Sequence, residues 1–275
     1  MEEKIAIQGI KGSFHHQVAG EYFGQDVQVD ECRTFKDVVD SLLTNRSVSG
    51  VMAIENSTAG TILPNYALID DNDLQIKGEH YIPIFMNLMV LPGQKISDIK
   101  KVCSHPMALL QCHNFFKDYP HIELIEDTDT ADVARRISEE KLKGVAALAS
   151  KTAAQIYHLD ILNEGIQNMK SNSTRFLVLS SKNSVPVVTG SNKASLKIIL
   201  ENKKGSLVSV LNILRDFDLD MTKIQSVPVV DVPWKYAFFI DVLFQEEEEL
   251  HKVLGILGEL TEEIKILGIY KNGLL

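Results

Sequence analysis

Cysteine is scarce in this sequence, and its spacing has no chemistry in it: Cys32, Cys103 and Cys112 are the three in 275 residues, and none belongs to a C-x-x-C pair. An odd set without that spacing argues against a disulfide framework and against a zinc site, and reads as core thiols. Positive charge is short as well. Lys and Arg number 28 against 37 Asp and Glu, a net charge of −9, the wrong sign for a chain that neutralises nucleic-acid phosphates or coats an anionic membrane. Long apolar runs are missing. Stretches such as FMNLMVL fall far below the roughly 20 residues of a spanning helix, and the opening MEEKIAIQGI has no basic stretch leading into an apolar one. Neither a nucleic-acid nor a membrane partner is expected, and the location expected is cytoplasmic. Also absent are G-x-x-x-x-G-K-[ST], G-x-G-x-x-G, H-E-x-x-H and G-x-S-x-G, and no lysine sits in a cofactor motif. The chemistry expected is therefore free of cofactor and metal, or is plain binding.

What is present is an ordinary globular composition, 45% apolar and 24% charged, in a chain long enough for two domains. Through residue 180, short β-rich runs (IAIQG, VQVDEC, SGVMAIE, KVCS, IELIED, GVAALAS, TRFLVLS) alternate with helical patterns over 13–24, 34–46, 106–118, 130–143 and 151–158. That alternation predicts an α/β fold with a largely parallel sheet. Between 74 and 91 two extended runs follow one another without a helix, a place for the chain to cross into a second lobe. Residues 181–193, rich in Ser, Asn, Gly and Pro, read as a linker. From 194 to 275 the order is βαββαβ, with Leu207, Val210, Leu211 and Leu214 on one helix face and Leu250, Val253, Leu254 and Leu257 on the other. This is the α+β ferredoxin-like pattern, with helices over one sheet face and edges open to dimerisation.

Small hydroxyl residues recur where strands of the first domain end: IAIQ runs into GIKGS, VMAI into ENSTAG, KVC into SHP and LIED into TDT. Such residues cap helices, and their hydroxyls and the free N–H groups of the helix starts can also face one space that suits carboxylates. In CSHPM, Ser104 or His105 can cap while Pro106 takes the first helical position. Glu55, in IENS, fits a general acid, a partner for Arg175 or a surface carboxylate. Arg175 starts an apolar strand between Thr174 and Phe176, so its guanidinium needs an anionic partner, either a ligand carboxylate or an internal Asp or Glu.

Taken in order, GIKGSF, AIENSTAG, CSHPMALLQC, DTDTADVA, AALASKTAAQIYHLDIL and NSTRFLVL, followed by GSLVSVLNILRDFDLDMTKIQSVP and YAFFIDV, resemble the prephenate dehydratases that carry a carboxy-terminal ACT regulatory domain. The resemblance implies a two-lobed catalytic domain over 1–180, like the periplasmic binding proteins, with its second lobe over roughly 80–160 and an ACT domain over 194–275. It implies conversion of prephenate to phenylpyruvate in phenylalanine biosynthesis, with loss of water and carbon dioxide and with no cofactor. By the same resemblance Thr174 is the donor to the leaving hydroxyl, with Asn56 and Ser57 beside it in catalysis. Arg175, Ser104, Thr130, Ser13 and Phe176 would bind substrate, and Glu55 and His105 would support loops. In the ACT half, Gly205, Ser206, Leu207, Asp220 and Met221 would form a phenylalanine effector site at an interface between copies, in a homodimer or homotetramer.

The sequence also departs from the family's habits. Ile10, Ala53 and Met107 stand where the family commonly has Pro, Pro and Gln; Met107 removes a polar contact beside the cleft and keeps the amino analogue arogenate open as a substrate. Asp220, Gln225 and Val227 replace Asn, Glu and Arg, which bears on effector affinity. Two rivals remain at this point, a non-enzymatic sensor of small carboxylates and a DNA-linked regulator, the second disfavoured by the acidic balance.

Overall fold

The computed structural model describes residues 3–181, 190–229 and 232–274. Most of the expected linker, 182–189, lies outside the described residues, and no described helix is long and apolar enough to cross a membrane.

The alternation read in the sequence is present. β1 (Lys4–Gln8), α1 (Phe14–Phe23), β2 (Gln28–Cys32), α2 (Phe35–Leu43) and β3 (Ser49–Asn56) lead to β4 (Gly60–Thr61), α3 (Leu63–Asp71) and β5 (Gln75–Pro83). Then come β6 (Asn87–Val90), β7 (Lys101–Ser104), α4 (Pro106–Phe116), β8 (Glu123–Glu126), α5 (Thr130–Glu139), β9 (Val145–Ala149), α6 (Lys151–Ile156), β10 (Asp160–Asn163) and β11 (Ser173–Ser180). No helix separates β5 from β6, as the two extended runs between 74 and 91 require.

The chain divides into two compact units, Met1–Ile62 with Tyr81–Phe176, and Leu63–His80 with Leu177–Leu275. One sheet has the order β2-β1-β3-β11-β5 with β4 beside β3, and of its strands β11 and β5 only residues 173–176 and 81–83 belong to the first unit; the other sheet, of order β10-β6-β9-β7-β8, lies wholly in the first unit. Parallel pairs are β1 with β2 and β3, and β7 with β8 and β9, whereas β6 runs antiparallel to β9 and β10. The largely parallel sheet expected is thus two sheets, both mixed, since β4 also runs antiparallel to β3. They share one apolar core, in which Ile7, Val51 and Phe176 of the first sheet join Leu88, Val102 and Leu148 of the second.

The second unit holds β12 (Lys193–Ile199), α7 (Ser206–Asp216), β13 (Asp220–Pro228), β14 (Tyr236–Leu243), α8 (Glu247–Leu260) and β15 (Glu263–Tyr270). Its antiparallel sheet has the order β13-β14-β12-β15. Period-2 alternation sends Ala194, Leu196 and Ile198 to the helices, where Val210, Leu214, Leu250, Val253 and Leu257 bury them.

The other face of that sheet is covered by α3 and the start of β5, residues the sequence assigned to the first domain. Lys193 Nζ donates to Glu79 Oε1 at 2.9 Å and Oε2 at 3.0 Å, with both side chains almost wholly buried. Asp70 receives Lys197 at 2.7 Å and Lys265 at 2.8 Å, and the Tyr66 and Phe239 rings lie 4.7 Å apart. A Cβ on Gly268 would overlap the Ile76 carbonyl, so only glycine admits this close approach. The boundary expected at 180 therefore falls after Phe176, and 63–80 belongs with the carboxy-terminal residues.

Candidate active site

Four helices of the first unit begin at one cavity of about 510 Å³. Each start is shaped by its cap. Ser13 Oγ accepts from His16 N at 3.2 Å, Thr34 Oγ1 from Asp37 N at 3.1 Å and His105 Nδ1 from Met107 N at 3.2 Å; Asp129 Oδ1 accepts from Ala131 N at 2.8 Å and Asp132 N at 2.9 Å. All four capping residues line the cavity, so capping and site-lining are two uses of the same residues. Helix starts present N–H groups and the positive end of the helix dipole, which makes the space favourable for anions. Apolar walls come from Phe35, Ile84, Met86, Met107 and Phe176.

At the floor, β11 brings Thr174 and Phe176 to the cavity and, by strand alternation, turns Arg175 to the opposite side. Arg175 is buried there, its guanidinium 6.0 Å from the centre of the Tyr81 ring. The expectation that Arg175 binds substrate alongside Thr174 is corrected accordingly, since neighbours in a strand cannot face one pocket.

Thr174 is held by Asn56, whose Nδ2 donates to Thr174 Oγ1 at 2.8 Å, to Asn172 Oδ1 at 2.7 Å and to the Ser173 carbonyl at 3.3 Å. Asn56 Oδ1 accepts from the Thr58 and Ala59 amides and from Thr58 Oγ1. Asn56 lines the cavity beside Thr174, and with its amide committed on both ends it orients the threonine. Asn172 in turn donates to Gln111 Oε1 of α4 at 3.1 Å, which ties the pair to the second sheet's side of the cavity. Because Thr174 Oγ1 already accepts a hydrogen bond, its own proton is the part left to point at a ligand.

Two further expectations are corrected. Ser57 does not line the cavity; it clamps the start of β11, with Oγ accepting from Ser173 N at 2.9 Å and donating to the Ser171 carbonyl at 3.3 Å. Ser104 is fully buried and its hydroxyl donates to the Leu148 carbonyl at 2.8 Å, joining β7 to β9. Ser13, Thr130, Thr174, Phe176 and His105 do line the cavity, while Glu55 sits off it, opposite Thr61 in the β3–β4 hairpin. Cys32 and Cys112 are buried thiols, their pKa values pushed up by burial to about 11 and about 12.

Asp129, Arg33 and His15 were missed. Asp129 is the carboxylate of the lining, and loss of water around it raises its pKa above the ordinary value. His15 packs edge-on to Phe176 at 5.0 Å, and burial lowers it to about 3, so the ring is neutral at physiological pH and its Nε2 accepts from Ala53 N. Arg33 follows β2 directly, and its exposed side chain makes no hydrogen bond or ion pair among the described residues. The strand-end pattern of small hydroxyls that points to Ser13 and Thr130 leads in DEC-RT to Thr34, with Arg33 next to it in the chain.

In the second unit Gly205 caps α7 in the left-handed region at φ 90°, Ser206 and Leu207 form its first turn, and Asp220 and Met221 open β13 beyond its other end. Eleven residues of helix span about 16 Å, so within one chain these groups do not converge on a single small ligand.

The sequence model of the family described as prephenate dehydratase matches residues 5–184. The chain belongs to this family. The bifunctional chorismate mutase/prephenate dehydratase of Aquifex aeolicus is 36% identical over 274 residues, covering 99% of this chain and 74% of the relative. That of Escherichia coli K12 is 33% identical over 279 residues, covering 98% and 71%. Among solved structures, the prephenate dehydratase from Arthrobacter aurescens, determined in complex with L-Phe, shares the fold at TM-score 0.87 with 23% identity, covering 98% of this chain and 90% of that one. GqqA, described as a novel type of quorum quenching acylase, has TM-score 0.88 and 26% identity, each chain covered to 98%.

Proposed function

We propose that the cavity around Thr174 converts prephenate to phenylpyruvate. The observation that carries this is the Asn56–Thr174 hydrogen bond, which fixes the threonine oxygen and leaves its proton to be donated into an apolar-walled space ringed by helix starts. In the reaction the ring C–O bond breaks as the hydroxyl takes a proton from Thr174 and departs as water. The bond to the ring carboxylate breaks, its electron pair enters the ring, and carbon dioxide leaves; the threonine is reprotonated from solvent. One proton is consumed, and prephenate dianion gives phenylpyruvate anion, carbon dioxide and water. A threonine hydroxyl is too weak an acid to ionise alone, so it serves as a directed donor or relay, a contribution of about 10²–10⁴-fold. Helix N-termini stabilise the dianion, and aromatisation drives the reaction forward.

The likeness to an acylase is less well supported by the site. Acyl transfer needs an activated nucleophile, and among the described residues lining the cavity no hydroxyl is hydrogen-bonded to a histidine ring.

The βαββαβ part of the second unit serves, in this reading, as an ACT domain that binds phenylalanine between two copies of the chain. Support comes from its strand order, from the separation of Gly205 and Asp220 along α7, and from the L-Phe complex of the Arthrobacter aurescens relative. A cytoplasmic homodimer or homotetramer is the form proposed. The test is incubation of the purified chain with prephenate and with arogenate, with and without phenylalanine. Phenylpyruvate is expected from prephenate at a rate lowered by phenylalanine; none from folded protein overturns the reading.

A further inference from the structure

Prephenate carries two carboxylates with opposite fates, one lost as carbon dioxide and one kept in the product. With Arg175 turned away, Arg33 is the arginine among the described residues that lines the cavity; no lysine lines it. Its backbone is fixed from both sides: Gly9 N donates to the Cys32 carbonyl at 2.8 Å, and Thr34 caps α2 in a reciprocal pair with Asp37. The guanidinium itself is uncommitted among the described residues. The acidic groups nearby are not bound to it. Asp132 is taken by Arg135 and Arg136, Glu31 accepts from Lys11 N, and Asp129 Oδ1 is used by the start of α5.

We infer that Arg33 is the anchor for the carboxylate that survives into product, the one on the pyruvyl side chain. The choice between carboxylates follows from the chemistry. A guanidinium gripping the ring carboxylate would stabilise it as an anion and oppose its loss as neutral carbon dioxide, whereas a grip on the side-chain carboxylate is equally strong before and after reaction. Arginine suits the task, because its planar fork meets a carboxylate with two parallel hydrogen bonds. Binding of this uniform kind lowers KM and leaves kcat nearly unchanged. It also requires that product bind through the same contact.

This rests on the dehydratase reading, and the experiment separates the two. Arg33→Gln and Arg33→Lys are compared with the unaltered chain in prephenate turnover and, independently, in calorimetric titration with phenylpyruvate. For Arg33→Gln, KM and the phenylpyruvate Kd should both rise about 10–100-fold with kcat within about threefold, and Arg33→Lys should recover part of the loss. An unchanged phenylpyruvate Kd in Arg33→Gln overturns the anchor, whatever happens to KM. Failure of the unaltered chain to turn over prephenate, with phenylpyruvate binding still dependent on Arg33, overturns the dehydratase reading and leaves the carboxylate anchor standing.

Discussion

Replacing Thr174 by valine keeps the side chain's shape and removes only the hydroxyl. Two effects follow, and they separate cleanly. On stability, Asn56 Nδ2 loses its 2.8 Å acceptor but keeps Asn172 Oδ1 at 2.7 Å and the Ser173 carbonyl at 3.3 Å. No buried donor is stranded, so the cost is that of one ordinary hydrogen bond, about 0.5–1.5 kcal/mol, or a few degrees in Tm for a chain of this size. On catalysis, the leaving hydroxyl loses its directed donor, which should cost about 10²–10⁴ in kcat, or about 2.7–5.4 kcal/mol of barrier. KM should change little, since the contact strengthens only as the C–O bond breaks. Initial rates of phenylpyruvate formation and thermal melting, measured side by side, give both numbers. Thr174→Ser retains the hydroxyl and should stay within about tenfold of the unaltered chain. A Thr174→Val variant that melts normally and keeps kcat within about twofold would refute the role given to Thr174.

Lys193→Met removes the buried ammonium that meets both Glu79 carboxylate oxygens, and the second unit should lose about 3–5 kcal/mol in denaturant unfolding; a loss below about 1 kcal/mol would mean that α3 and β5 are held by their other contacts. Asp129→Asn keeps a capping oxygen at the start of α5 and removes a charge. Because burial raises the Asp129 pKa above its ordinary 3.8, the folded chain holds this proton more tightly than the unfolded one, and the stability that provides is lost as pH rises through the folded pKa. The variant should therefore melt higher than the unaltered chain at pH 7, with the gain vanishing as pH falls toward and below about 4; a gain independent of pH would contradict it.

Much of the fold could be read from local pattern. Strand–helix alternation, the absence of a helix between β5 and β6, and the βαββαβ order all depend on periods of a few residues, and all are present. The docking of 63–80 onto the second unit was not legible, because it turns on a lysine and a glutamate 114 positions apart and on a glycine that matters only through the carbonyl it approaches. At the site, the strand-end hydroxyls pointed to a common space, and the structure puts Ser13 and Thr130 there, together with Thr34, which the sequence reading did not single out. Ser104 breaks the rule because its hydroxyl is spent on a neighbouring strand. Arg175 was misplaced for another reason: alternation along TRF was available in the sequence and assigns the arginine and the threonine to opposite faces.

The central claim is that this cavity dehydrates and decarboxylates prephenate together. Prephenate carrying ¹³C in the ring carboxylate, turned over by the purified chain, tests it most directly. Labelled carbon dioxide and unlabelled phenylpyruvate should appear in equal amounts and at one rate, and both should fall together in Thr174→Val. Carbon dioxide without phenylpyruvate, or neither product from folded chain, would contradict the account.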